Sequence, residues 1–196
     1  MQASGENAGP TRADAIEILS MKTSAELEQQ AAIQVLSLMA AAARTAPKSR
    51  GIDNIRVIGI QDPDAKAKLV SKMRELAKSE DRSWFERDAA GVEKSLAVLL
   101  IGVVHNPADL NCGYCGQETC EALAKVNGVC SFNTIDLGIA TSSAVSVAAD
   151  SRVDTRIMFS VGHAGVAMNL FEGGLKQALG IPLSISGKSP FFDRKT

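Results

Sequence analysis

The chain has 196 residues and a formal net charge of −1, with hydrophobic and charged fractions of 45% and 22% that are ordinary for a folded domain. This charge gives no global attraction to nucleic acid or to an anionic membrane, and the 4% aromatic content leaves few platforms for stacking bases. The longest apolar stretch, Leu96–Val104, is too short to span a bilayer. We therefore expect no nucleic-acid or membrane partner. Because no apolar signal segment with a cleavage site is visible, we also expect a cytoplasmic location.

Helical and extended patterns follow a polar N-terminal segment, residues 1–12, which we expect to be flexible. Thr23-Ser24-Ala25-Glu26 has the pattern of a capping box. The β-branched run Ile55–Ile60 and the apolar run Leu96–Val104 favour strands, the second buried on both faces. The predicted helices are Thr11–Met21, the capping box to about Thr45, Asp62–Lys78, Trp84–Lys94, Cys120–Val126, Asp136–Ala149 and Asp154–Leu170, and a last short strand covers Ile181–Ile185. This order predicts one α+β (α/β-like) domain over residues 13–196, with a mixed central β-sheet flanked by helices.

All four cysteines of the chain lie in one short segment, with the spacing C-x2-C-x4-C-x9-C. Four soft thiolates so close together indicate a metal or cluster site, and we predict that Cys112, Cys115, Cys120 and Cys130 hold a [4Fe–4S] cluster. The short gaps let one loop contact one side of a cubane, and the more distant cysteine closes the other side. Glycine follows each of the first two cysteines, where it lets the backbone approach a bound group. The iron–sulfur loop is predicted as an insertion at residues 105–133.

Zinc and oxidised or free thiols are open alternatives to the cluster. Structural zinc sites with four cysteine ligands usually contain two separated C-x2-C pairs, and this chain has one such pair. Disulfides would need an oxidising compartment. With zinc, or with a purely structural cluster, the segment would stabilise a non-enzymatic binding module.

The segment Cys112-Gly113-Tyr114-Cys115-Gly116-Gln117-Glu118-Thr119-Cys120 is similar to the iron–sulfur modules of the electron-transport complex B subunit and of corrinoid iron–sulfur proteins. Those modules share C-G-x-C-G-x-x-x-C followed by a helix. From about Ala13 to Lys195 the chain resembles an uncharacterised bacterial and archaeal family described as containing a ferredoxin domain, with its recurring stretches at Ala42–Gly51, at the cysteine segment and at Gly187–Arg194. The resemblance implies electron transfer to a redox partner protein or to a small-molecule acceptor.

The chain also resembles the flavin-dependent nitroreductase fold, in which a helix ends in an Ala-Pro-Ser-like turn before the first strand and a late basic residue holds the flavin phosphate. This resemblance implies a homodimer with FMN at the subunit interface and a flavin-dependent oxidoreductase activity. It implies flavin contacts from Arg44, Pro47, Lys48, Ser49, Arg50, Lys188 and Arg194. The chain has no Arg-Arg-Ser-x-Arg motif before its first long helix, the motif that grips the flavin phosphate in nitroreductases.

The residues around Pro47 also have an interpretation that does not depend on the resemblance. Cationic side chains and backbone N–H groups in a turn can hold a phosphate. Basic residues are equally favoured at the C-terminus of any helix, where they are simply solvated. The pattern of residues leaves both interpretations open.

No residue is assigned a catalytic role from the sequence. The chain has no G-x-G-x-x-G after a strand, no Walker pattern and no pair of acidic residues that stands out as an acid–base couple. His105 lies shortly before Cys112, where an imidazole can either donate to a cluster sulfur or be an ordinary solvated side chain.

Overall fold

The computed structural model describes Thr11 and residues 21–173 and 175–191. The helices are α1 (Ser24–Thr45), α2 (Pro63–Ser79), α3 (Trp84–Glu93), α4 (Cys120–Lys125), α5 (Ser131–Asp150) and α6 (Phe159–Ala167), and the strands are β1 (Ile55–Ile60), β2 (Ala97–Val103), β3 (Asp154–Thr155) and β4 (Gln177–Ser184). Nearly all of the predicted N-terminal segment and of the predicted helix Thr11–Met21, together with Arg194, lies outside the described residues.

The strands form one sheet in the order β1-β2-β4-β3. The predicted α+β class is confirmed, but all pairings among the described strands are antiparallel, where a mixed sheet was predicted. The link between β1 and β2 explains the first reversal. It consists of α2 and α3, which pack against each other and return the chain to the end of the sheet that it left. A single crossover helix would have made the two strands parallel.

The central strand β2 is buried along its whole length, as predicted. Successive side chains of a strand point to opposite faces, so β2 contributes to two cores. Leu99 and Ile101 belong to the core under α1 and α5, whereas Val98 and Leu100 belong to the core under α2, α3 and α6. The sheet is therefore the middle of three layers. In the described part of the chain, no helix is both long enough and apolar enough to cross a membrane.

The capping box at the start of α1 is confirmed. The Thr23 hydroxyl oxygen accepts from the Glu26 N–H at 3.3 Å, and the Glu26 carboxylate accepts from the Thr23 N–H at 2.7 Å. The backbone hydrogen bond from Thr23 is the main reason why the pKa of Glu26 lies below its usual value. This reciprocal pair fixes where α1 begins.

Two helices differ from their predicted extents. The helix predicted at Asp136–Ala149 begins earlier, at Ser131, because Cys130 takes the N-cap position. The helix predicted to start at Asp154 is instead preceded by β3, in which Asp154 lies opposite Ser184 of β4. Pairing with a sheet edge thus overrides the helical pattern of these residues.

Candidate metal centre

The four cysteines line one small surface cavity in the segment that follows β2. All four are free thiols, so each sulfur is available as a ligand. The structure therefore brings the four predicted ligand residues together around one space, although they come from a loop, from α4 and from the start of α5. In residues 21–173 and 175–191 no group of three or more His, Cys, Asp or Glu side chains is arranged to hold a single metal ion.

The cysteines differ in depth. Cys112 is exposed, Cys115 and Cys120 are half-buried, and Cys130 is 5% exposed. Cys130 lies in a small apolar cluster with Ala108 and Leu123, separate from the two cores of the main sheet. The cavity consequently has a buried floor at Cys130 and a rim in contact with solvent at Cys112.

Two glycines give the cysteine loop its turns. Gly113 has a φ of 75° and Gly116 a φ of 81°, values that favour glycine because a Cβ would be strained there. A Cβ at either position would meet no atom within 4 Å, so the requirement comes from backbone conformation and not from crowding. The Gly116 N–H donates to the Gly113 carbonyl at 2.9 Å, which closes the turn around Cys115.

The backbone at Cys120 is held by two neighbouring polar side chains. Its N–H donates to Asn111 Oδ1 at 2.8 Å, and the Thr119 hydroxyl oxygen accepts from the Ala122 N–H at 3.1 Å, which confirms the predicted N-cap of α4. At the other end of α4 the Gly128 N–H donates to the Leu123 carbonyl. These hydrogen bonds position Cys120 through the main chain, whatever its thiol binds.

The turn that follows α1 contacts the chain both before the first cysteine and after the last one. The N–H and the hydroxyl of Ser49 donate to Asp136 Oδ1 of α5 at 3.0 and 2.8 Å, and Asp136 is only 2% exposed. Arg50 Nη1 donates to the carbonyl oxygen of Ala108 at 2.8 Å. These two residues, predicted as flavin contacts, thus lie against the elements that carry the cysteines.

The other predicted flavin contacts in this region have partners within the chain. Arg44 forms an ion pair of 2.6 Å with Asp53 and donates to the Ile55 carbonyl at 2.8 Å. Lys48, which directly follows Pro47, donates from Nζ to three carbonyl oxygens at the end of α1, at 2.6 to 3.2 Å. The structure therefore gathers these cations around the C-terminus of α1, where they also stabilise the helix end.

Of the second predicted basic group, Lys188 and Arg194, the structure describes Lys188. Lys188 belongs to the segment after β4, and that segment continues to Phe191, which packs in the core under α2, α3 and α6. Arg156 Nη1 donates to the Phe191 carbonyl at 3.1 Å, so the tail is docked as far as this residue. The turn after α1 lies on the other face of the sheet from Phe191, on the side of α5, where Ser49 contacts Asp136.

His105 lies between β2 and the cysteine loop. Its Nδ1 is buried and has no hydrogen-bond partner among the described residues. Burial, and to a lesser degree the charge of Lys176, lower the pKa of His105 from its usual value. Lys176 Nζ also donates to Asn127 Oδ1 at 2.6 Å at the end of α4. His163 lies on α6, where it contacts Glu80 at 2.9 Å.

The pKa of His105 predicts a dependence of stability on pH. Because its folded pKa lies below 6.5, the unfolded chain binds this proton more readily than the folded chain does. The contribution of His105 to the free energy of unfolding is therefore fully present above about pH 6.5 and falls as the pH drops from there toward the lower folded pKa. Urea unfolding at about pH 7.5 and about pH 5.5 is expected to show this loss in the wild type and a smaller loss in His105→Asn. Equal losses in both proteins would contradict the prediction.

Comparison of the sequence with a family model and with other protein sequences identifies relatives. Residues 126–194, which include Cys130, match the family described as "Uncharacterized protein containing a ferredoxin domain (DUF2148)". A protein of Archaeoglobus fulgidus, described as "Uncharacterized protein", is 42% identical over 166 residues that cover 80% of this chain and 88% of the relative.

Comparison with solved structures identifies the fold. A nitroreductase with bound FMN from Desulfitobacterium hafniense matches with a TM-score of 0.55 and 15% identity, over 79% of this chain and 78% of that protein. A BluB-like flavoprotein from Clostridium difficile matches with a TM-score of 0.52 and 16% identity over 83% of both chains. The hypothetical oxidoreductase YcnD from Bacillus subtilis matches with a TM-score of 0.52 and 18% identity, over 80% of this chain, which spans only 58% of YcnD. The chain belongs to this family, described as "Uncharacterized protein containing a ferredoxin domain", and its fold is that of the nitroreductases.

Proposed function

We propose that this protein is a redox protein that carries one [4Fe–4S] cluster and exchanges single electrons with a partner protein or a small-molecule acceptor. The ligands are Cys112, Cys115, Cys120 and Cys130. The observation that carries the proposal is the convergence of four free thiols on one cavity in a chain of the ferredoxin-domain family.

The donor set suits an iron–sulfur cluster. Four thiolates provide one soft ligand for each iron, and the positive-φ glycines give the loop the turns that bring the first three cysteines to the cavity. When bound, such a cluster supplies one-electron redox chemistry at a potential set by burial, charge and hydrogen bonds to sulfur. The chain itself controls burial: Cys130 lies at the floor, and Phe132 lines the wall. Tyr114, 71% exposed, stacks on Phe132 with ring centroids 5.7 Å apart and shields that wall from the outside.

Because the cysteines lie at different depths, electrons would enter and leave the cluster on the exposed side, at Cys112. Cys130 and its apolar neighbours separate the site from the main core, whereas Cys112 is exposed at the rim. An acceptor that docks at the rim therefore comes close to the site without any opening of the fold.

Absorption spectroscopy under anaerobic conditions tests the proposal. The purified protein is expected to be brown, with broad visible absorbance that bleaches on addition of dithionite and returns on oxidation. A colourless protein that holds one zinc per chain, with no spectral response to dithionite, would instead support the zinc-stabilised binding module.

A second candidate function is an FMN-dependent oxidoreductase in which the cluster passes electrons to the flavin. It is favoured by the fold, which this chain shares with a nitroreductase that has bound FMN. The flavin phosphate would lie at the turn after α1, beside Arg44, and the flavin at the interface of a homodimer. Exposed apolar side chains on α1 and α5, Leu38 and Ile139 among them, provide surface for such an interface.

The flavin site predicts the behaviour of one arginine variant. If Arg44 contacts the phosphate, Arg44→Ala should weaken FMN binding by about tenfold or more, because a charge-assisted hydrogen bond is lost. The measurement is a titration of the apoprotein with FMN, followed by quenching of flavin fluorescence. Arg74→Ala is the control, since Arg74 lies on α2 in the other layer, where it pairs with Glu86 and Glu93. Unchanged FMN affinity in Arg44→Ala would show that the phosphate lies elsewhere.

A further inference from the structure

The turn after α1 contains a backbone conformation that its sequence does not favour. Arg50 has a φ of 57°, in the left-handed region that residues with a Cβ rarely adopt. Gly51, with a φ of 68°, follows it without strain. A strained residue persists when the surrounding structure determines it, and the contact that Arg50 makes in this conformation is the hydrogen bond from its guanidinium to the Ala108 carbonyl.

Ser49 makes the corresponding contact on the other side of the site. Both its N–H and its hydroxyl donate to Asp136, a buried carboxylate on α5. Because α5 begins at Ser131, directly after Cys130, Asp136 lies within two turns of the buried cysteine. A single turn therefore links the chain before Cys112 to the helix after Cys130.

The cysteine loop needs such a link. Residues 104–119 form turns and bends without helix or strand, so their conformation depends on a few side-chain contacts. Ordering a loop around a bound group has an entropic cost that reduces affinity for that group. Contacts that hold the loop before the group binds lower this cost.

We propose that Ser49 and Arg50 are positioning residues for the metal centre, and we call this pair the brace. Arg50 holds the loop at Ala108, and Ser49 holds the helix that follows Cys130. Ala108 and Cys130 belong to the same small apolar cluster, so the brace fixes both sides of the buried floor of the cavity. This inference rests on the proposed function, because the group that the brace prepares the site for is the cluster.

The test uses the full-length chain and the rate at which iodoacetamide alkylates the buried Cys130, measured by mass spectrometry on the metal-free protein. Arg50→Ala removes the guanidinium, and Arg50→Gly removes it while also relieving the backbone strain. Both are expected to raise the alkylation rate of Cys130 about tenfold, the effect of losing one hydrogen bond from a charged group. Arg50→Lys, which keeps one cationic donor, should restore part of the protection. Arg56→Ala, which also loses a guanidinium bonded to a main-chain carbonyl, should leave the rate unchanged.

The loaded protein gives a second readout. In Arg50→Ala and Arg50→Gly, loss of iron to a chelator should be about tenfold faster than in the wild type, whereas Arg56→Ala should match the wild type. Wild-type Cys130 protection and iron release in Arg50→Gly would overturn the brace, because that variant lacks the guanidinium without added strain. Zinc in place of iron in the wild type would refute the proposed function instead, and the alkylation of Cys130 would still decide the brace.

Discussion

The Cys120→Ser chain is expected to hold less than about one tenth of the iron and sulfide of the wild type. A serine hydroxyl is a hard ligand that stays protonated near neutral pH, so it does not replace a thiolate on iron. The fold should survive the change, because the backbone of Cys120 is held by Asn111 and by the Thr119 cap, and not by its own side chain. Iron and sulfide are measured per chain after anaerobic purification.

The matched control for this variant is Gln117→Ala. Gln117 lines the same cavity in the same loop but supplies no thiolate. Its replacement is expected to leave the iron content at the wild-type level. If Cys120→Ser retained as much iron and sulfide as Gln117→Ala, Cys120 would not be a ligand, and the set of four thiolates would be wrong.

The second large effect is expected at the contact between α6 and the sheet. A Cβ at Gly162 would lie 2.0 Å from the carbonyl oxygen of Ala178 and 2.3 Å from its carbonyl carbon. These are main-chain atoms of β4, and Ala178 is paired there with Gly102 of the central strand β2. We expect Gly162→Ala to lower the free energy of unfolding by about 3 kcal/mol or more, as measured by urea denaturation.

A glycine in α5 provides the control for this substitution. A Cβ at Gly138 would meet no atom within 4 Å, and the residue lies on the exposed side of the helix. Gly138→Ala is therefore expected to raise the free energy of unfolding by about 0.5 to 1 kcal/mol, because alanine loses less conformational entropy in a helix. Equal stabilities of the two variants would contradict the close packing of α6 on β4.

Features of the fold and of the site that involve residues close together along the chain were predictable from the sequence. The spacing of the cysteines, the Thr119 cap and the capping box at Thr23 each involve residues that are close along the chain. The same holds for β2, since a run of apolar residues with no polar face is buried on both sides wherever its partners lie.

Contacts between distant residues were not predictable in this way. Ser49 and Asp136 are separated by 87 positions, and Arg50 and Ala108 by 58. No local pattern distinguishes Asp136 from an exposed acidic residue of a helix. Asn111 was missed although it directly precedes Cys112, because its partner is the N–H of the third cysteine. The antiparallel sheet has the same cause, because periodicity shows that a strand forms and does not show which strand it pairs with.

The central claim is that four thiolates of this chain hold an iron–sulfur cluster, and quantitation of iron, acid-labile sulfide and zinc on one anaerobically purified sample tests it most directly. The account predicts about four irons and four sulfides per chain and little zinc. One zinc per chain without iron or sulfide would contradict it, and the four cysteines would then form a structural zinc site that stabilises the fold.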